Sequence, residues 1–175
     1  MILFYPHKKS RVVFCPFPLT SNCYLCPHYM MVQVQIINKS PHQLPGYQTA
    51  GSSGMDLRAW LPEPVTLKPM ERKLIPTGLY MALPVGYEAQ IRPRSGMAIK
   101  RGLSMVNTPG TIDSDYRGEI MVAVINLSTE DQTIEDGERI AQMVVSKYET
   151  VLWEQTEELE ETLRGAGGFG HSGVN

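Results

Sequence analysis

Alternation opens the body of the chain. Val32, Val34 and Ile36 are apolar while Gln33 and Gln35 are polar, and a period of two marks a strand with one face buried. Similar runs predict strands over Leu79–Leu83, Tyr87–Arg92, Glu119–Leu127 and Arg139–Tyr148. Every position from Ile120 to Ile125 is apolar, which predicts a strand covered on both faces. Only Ser95–Arg101 and Thr156–Arg164 read as helices, and both are short. Glycine and proline make up 24 of the 145 residues after Met30, the punctuation of an all-β sandwich or barrel. After Arg164 the run Gly-Ala-Gly-Gly-Phe-Gly-His-Ser-Gly has nothing to pack with, and it is expected to move until something orders it.

Composition divides the chain near Met30 and Met31. Residues 1–30 hold all three cysteines, four of the thirteen prolines, no glycine and a charge of +3; the other 145 residues carry −5 of the total −2. Cys23-x-x-Cys26-x-His28, with Cys15, has donors for a zinc ion, but the second CxxC of a zinc ribbon is missing. The reading adopted is a loosely ordered extension, or a stretch upstream of the physiological start. Pro16 and Pro18 interrupt the apolar stretch, and no small-x-small site follows, which argues against a secretory signal. The body lacks cysteine, which suits a reducing compartment, and a cytoplasmic location is expected. No run of 18 apolar residues is present, so neither a membrane span nor membrane association is expected. The slightly acidic balance argues against stable nucleic-acid binding.

Four segments carry candidate chemistry. Arg92-Pro93-Arg94-Ser95-Gly96 closes a strand before a short helix. Ser95 is a suitable N-cap, and free N–H groups beside Arg94 suit a phosphate; the plain alternative is a capped turn with solvated arginines. Gly110–Glu119 is the densest polar cluster. Asp113 and Asp115 share a face of an extended chain while Tyr116 points away unless the backbone turns; one carboxylate there would deprotonate a water, and the alternative is an ordinary hairpin turn. Ala50–Leu57 is a small-residue loop that brings Asp56 to the start of a strand. Gly165–Gly170 matches G-x-G-x-x-G literally, but no strand precedes it and no helix follows, so the dinucleotide-binding reading is rejected. Its bare N–H groups, the Arg164 fork and the Phe169 ring still suit a nucleotide.

In order, Met55-Asp56-Leu57, Pro93-Arg94-Ser95-Gly96-Met97-Ala98, Gly110–Glu119, Gly137-Glu138-Arg139-Ile140-Ala141-Gln142 and Arg164–Gly173 resemble the five motifs of the trimeric dUTPase family, the deoxyuridine 5′-triphosphate nucleotidohydrolases. The likeness spans residues 32–175. It implies an all-β, jelly-roll-like β-barrel over 31–163, a glycine-rich lid over 164–175, and a homotrimer with three active sites shared between chains. One chain would give the loops around Asp56, Arg94–Gly96 and Gln142, a second the hairpin around Asp113, and the third its tail.

The same resemblance implies residue roles. Asp113 is the base that orients the attacking water and touches the 3′-hydroxyl. Tyr116 lies under the deoxyribose and leaves no room for a 2′-hydroxyl. Asn107, with the backbone of Thr111 and Ile112, reads uracil, and Met121 lines that pocket. Arg94, Ser95, Gly96 and Gln142 contact phosphates, and Asp56 holds waters of a magnesium ion, Mg2+. Arg164 and Phe169 clamp the γ-phosphate and cover the base, and Ser172 adds a hydroxyl contact; His171-Ser172 stands where many members have Ser-Thr. The implied reaction converts dUTP to dUMP and diphosphate, keeping uracil out of DNA and supplying dUMP for thymidylate synthesis. Alternatives are a dCTP deaminase, or bifunctional dCTP deaminase/dUTPase, which needs an acid beside the base, and a non-catalytic nucleotide-binding regulatory trimer.

Overall fold

The structure is a computed structural model, and it describes residues 31–168. Among these the order is β1 (Gln35–Asn38), β2 (Met55–Arg58), β3 (Val65–Leu67), β4 (Arg72–Pro76), β5 (Leu79–Ala82), β6 (Tyr87–Pro93), α1 (Ser95–Arg101), β7 (Leu103–Met105), β8 (Gly110–Ile112), β9 (Met121–Asn126), β10 (Gln132–Ile134) and β11 (Arg139–Lys147). The chain is mostly β, as its punctuation predicts. Every pairing is antiparallel. The ladders form a four-stranded sheet β2–β11–β6–β8, a three-stranded sheet β4–β9–β7, and the pairs β1–β5 and β10–β3. Among the described residues these sheets do not close into one continuous barrel.

All four sheets send side chains into one core. Leu57, Ile91 and Met143 come from the four-stranded sheet, Ile75, Val122 and Val124 from the three-stranded one, Leu79 and Met81 from β5, and Leu67 and Ile134 from the remaining pair. Full burial of each such side chain contributes about 1.5–3 kcal/mol, so the hydrophobic term fixes which face of each strand turns inward. Two buried polar residues are satisfied. Asn126 Nδ2 donates to the Leu67 and Glu130 carbonyls while its Oδ1 accepts from the Ser128 amide and hydroxyl. Thr77 Oγ1 donates to the Ile120 carbonyl at 2.6 Å.

Four expectations need correction, the last at the start of α1. The alternating segment is half-buried at Val32, Val34 and Ile36 as its pattern requires, yet the ladder begins only at Gln35. The apolar run at β9 is not covered throughout: Ile120, Val122, Val124 and Ile125 are buried and Ala123 is half-buried, but Met121 is 39% exposed where it borders a cleft. Thr156–Arg164 forms no helix. Glu157, Glu158, Glu160 and Glu161 repel at helical spacing, the segment has no partner surface among the described residues, and nine isolated residues nucleate poorly. The Thr156 hydroxyl donates to the Glu158 carbonyl instead of capping.

Helix α1 does form over Ser95–Arg101, but its N-cap is Arg94 rather than Ser95, with no side-chain cap hydrogen bond. The first helical bond runs from the Ala98 amide to the Arg94 carbonyl, so Ser95 already lies inside the helix. Gly102 ends it at φ 65°, where its amide returns to Ala98 and Met97 and the chain turns into β7.

Candidate active site

The four-stranded sheet carries the first group. β11 pairs with β2 on one side and β6 on the other, so Asp56, Gln142 and Arg92 fall opposite one another in a row. Directly opposed residues in antiparallel strands project to the same face. Pro93 ends β6, and Arg94 folds back over this row. Arg94 Nε reaches Asp56 Oδ1 at 2.7 Å, and Arg139 Nη1 reaches Oδ2 at 3.1 Å. Arg94 Nη1 donates to the Arg139 carbonyl at 3.0 Å, and Gln142 Nε2 to the Pro93 carbonyl at 3.2 Å. Ser95 and Gly96 follow at the exposed start of α1. The result is a carboxylate between two guanidinium groups beside exposed backbone N–H groups, a surface of net positive charge suited to a polyanion.

Arg139 is a member of this group that the motif reading missed. A register shift between Arg139 and Ala141 lifts it out of the strand's alternation, so periodicity does not place it. The arginine of Gly137–Gln142, close in sequence to Gln142, was the one available signal.

The second group lines a cleft of about 310 Å3. Thr111, Ile112 and Asp113 come from β8 and its end, Tyr116 and Glu119 from the following turn, and Leu74 and Met121 from the neighbouring β4 and β9. The backbone turn that Tyr116 needed is present: its amide donates to the Asp113 carbonyl at 3.2 Å. Arg117 Nη1 secures the turn by donating to the Ser114 and Tyr116 carbonyls, both at 2.7 Å. Tyr116 therefore joins Asp113 in one cleft, with its hydroxyl donating to the Glu119 carbonyl at 3.0 Å. An apolar floor, an edge strand with backbone groups to offer and one exposed carboxylate suit a flat heterocycle joined to a sugar.

Asn107 is not part of that lining. It is exposed in the loop before β8, with its amide packed against Gly110, where an added Cβ would fall 3.0 Å from Nδ2. Arg164 sits in an exposed turn and donates to the Gly167 carbonyl at 2.8 Å; among the described residues it has no hydrogen bond to either group. Phe169, His171 and Ser172 lie outside the described residues, as do Cys15, Cys23, Cys26 and His28.

The two groups are well apart. β2 and β8 are opposite edges of one sheet, with β11 and β6 between them. Three strand spacings separate Asp56 from Thr111 by about 14 Å across the sheet, and the register adds distance along it.

Among the described residues there is no cluster of three or more His, Cys, Asp or Glu side chains able to hold a metal. A magnesium ion that keeps most of its waters needs only one carboxylate beside the oxygens of a bound triphosphate. Asp56 fits that part, because each oxygen has a further lone pair beyond those used by Arg94 and Arg139. No helix among the described residues is long and apolar enough to cross a membrane.

A family model described as dUTPase matches residues 40–173. The deoxyuridine 5′-triphosphate nucleotidohydrolase of Finegoldia magna is 58% identical over 142 residues, 81% of this chain and 99% of the relative. That of Fusobacterium nucleatum is 57% identical over 142 residues, covering 81% and 97%. Among solved structures, the Staphylococcus bacteriophage 80alpha dUTPase with dUPNHPP aligns with a TM-score of 0.73 at 28% identity, covering 81% of this chain and 99% of that one.

Proposed function

Because the chain belongs to the dUTPase family and is a hydrolase of deoxyuridine 5′-triphosphate, we propose that it acts at clefts shared between copies of itself. The observation that carries this reading is the separation of the two groups. A water-activating carboxylate must lie within hydrogen-bond reach of the α-phosphate's attacking water. Asp113 and the Asp56–Arg94 cluster of one chain stand too far apart for that. A cyclic homotrimer that places the Asp113 cleft of one copy against the Asp56–Arg94 surface of the next completes the site three times. The exposed run after β11 supports the same reading. Leu152 is 96% and Trp153 87% exposed, apolar surface that suits a neighbouring copy. Each subunit is then a jelly-roll-like barrel over 31–163, with residues 1–30 as an extension and 164–175 as a lid.

The chemistry follows from the residues. Asp113 orients a water and takes its proton; the water oxygen bonds to the α-phosphorus, and the bond to the α–β bridging oxygen breaks, leaving dUMP and diphosphate. Little covalent work is asked of the protein, so positioning and charge compensation dominate. Arg94, Gln142 and the N–H groups of Ser95 and Gly96 hold the phosphates on one copy. On the next, the backbone of Thr111 and Ile112 reads uracil above Met121, with Asn107 at the mouth of the loop. Tyr116 lies against the deoxyribose and meets any 2′-hydroxyl. Asp56 is the residue that would hold Mg2+ through its waters, and the ion would offset phosphate charge. Arg164, Phe169 and Ser172 of a third copy close over the nucleotide and exclude bulk water. A methyl on the base is rejected by clash with a backbone reader, since a looser fit alone is worth only about 1–3 kcal/mol.

The relatives found support neither the dCTP deaminase nor the non-catalytic trimer. A nucleotide panel assayed for diphosphate with and without Mg2+, beside sedimentation of the same sample, tests the proposal. Diphosphate from dUTP alone, from a trimer and dependent on the ion, is expected; full turnover by a monomer contradicts it.

A further inference from the structure

Glu119 lines the proposed dUTP cleft, yet one of its carboxylate oxygens is turned to the protein backbone. Oε1 accepts the backbone N–H groups of Gly78 at 2.8 Å and Thr77 at 3.2 Å. Two more bonds run beside it: the Ile120 amide to the Leu79 carbonyl at 2.8 Å and the buried Thr77 hydroxyl to the Ile120 carbonyl. The segment Gly118–Ile120 is thereby stitched to Thr77–Leu79, which lies outside the cleft lining. Gly78 has a φ of 71°, and a Cβ there would fall 2.8 Å from both the Ser40 amide and the Trp60 ring. The anchor is thus itself fixed from below.

What the anchor holds is the Tyr116 ring. The Tyr116 hydroxyl donates to the Glu119 carbonyl, and the ring rests directly on Gly118, where an added Cβ would sit 2.5 Å from Cζ. We propose that Glu119, seated on the Thr77–Gly78 backbone, is a specificity-determining positioning residue that keeps the Tyr116 ring where it refuses a ribonucleotide. This rests on the reading that Tyr116 lies against the sugar. A ring that merely touched the sugar would yield to a 2′-hydroxyl. A ring tied at its far end and backed by a glycine resists displacement, so the clash falls on the wrong substrate.

The test compares kcat/KM for dUTP and UTP in the full-length wild type, Glu119→Ala, Glu119→Gln, Tyr116→Phe and Tyr116→Ala. Loss of the tether is expected to raise the UTP-to-dUTP ratio on the order of tenfold in Glu119→Ala and Tyr116→Phe, the scale of one hydrogen bond. Glu119→Gln keeps an oxygen for the two N–H donors and is expected to hold the wild-type ratio, which a general loss of fold would not allow. An unchanged ratio in Glu119→Ala overturns the proposal. If that variant does not fold, Tyr116→Phe decides, and wild-type discrimination there overturns it as well. Tyr116→Ala separates the two readings. Relaxed discrimination in it alone sinks only the role of Glu119, whereas wild-type discrimination in it sinks the placement of the ring against the sugar.

Discussion

Asp113 and Tyr116 share a cleft because one turn reverses the chain between them. From the sequence, Asp113 and Asp115 share a face and Tyr116 points elsewhere, and only the Asp113–Tyr116 backbone bond undoes that. With Asp113 as base, Asp113→Asn is expected to lower turnover by about 10²–10⁴-fold and leave dUTP binding nearly intact; single-turnover kinetics beside equilibrium binding checks it. Away from the site, Asp136 joins two loops: it accepts the Leu61 amide at 2.8 Å and contacts His42 Nε2 at 3.0 Å. The Leu61 amide first, and the His42 hydrogen bond second, hold the Asp136 carboxyl below its ordinary value of 3.8. A depressed carboxylate favours the fold above that value and loses the contribution as pH falls through and below it. Asp136→Asn is therefore expected to lower Tm slightly, by about 2 °C, at pH 7, with the gap closing in acid below pH 3.8; thermal melts across pH check the sign. Arg139 was invisible to periodicity for the opposite reason to Tyr116: the bulge that aims it at Asp56 breaks the strand pattern.

Long strands are legible because they carry several periods. β6, β9 and β11 were readable within about two residues at each end. β3, β7 and β10 have three residues each, too few to show any period, and they exist because neighbouring strands offer partners. The helix over Ser95–Arg101 was readable from the sequence, yet that over Thr156–Arg164 does not form, since among the described residues only the first has a surface to dock on. Arg101 shows what docking adds. Its guanidinium donates to Glu138, the Thr133 carbonyl and Gln132 Oε1, joining α1 to the turn that carries Arg139. Arg101→Ala is expected to cost about 2 kcal/mol of stability and to raise KM for dUTP, measured by denaturant melts and steady-state kinetics. Deleting the residues after Arg164 is expected to cripple turnover while leaving the oligomer unchanged in sedimentation.

At the scale of the molecule, the motif order in the sequence was enough for family and reaction. The resemblance also grouped Asp56, Arg94–Gly96 and Gln142 on one chain and the Asp113 hairpin on another, without a physical reason for the division. Sheet order supplies one: Asp56 and the start of the Asp113 hairpin belong to opposite edges of the same sheet, which is why the proposed site draws on two subunits. The most direct measurement is complementation. Asp113→Asn and Arg94→Ala chains, each inactive alone, are unfolded, mixed in equal amounts and refolded together. If sites are shared in a cyclic trimer, three of four assemblies are mixed and each holds one intact site of three. About one quarter of wild-type dUTP hydrolysis is then expected. Activity in the mixture no higher than in the separately refolded variants would contradict the shared site.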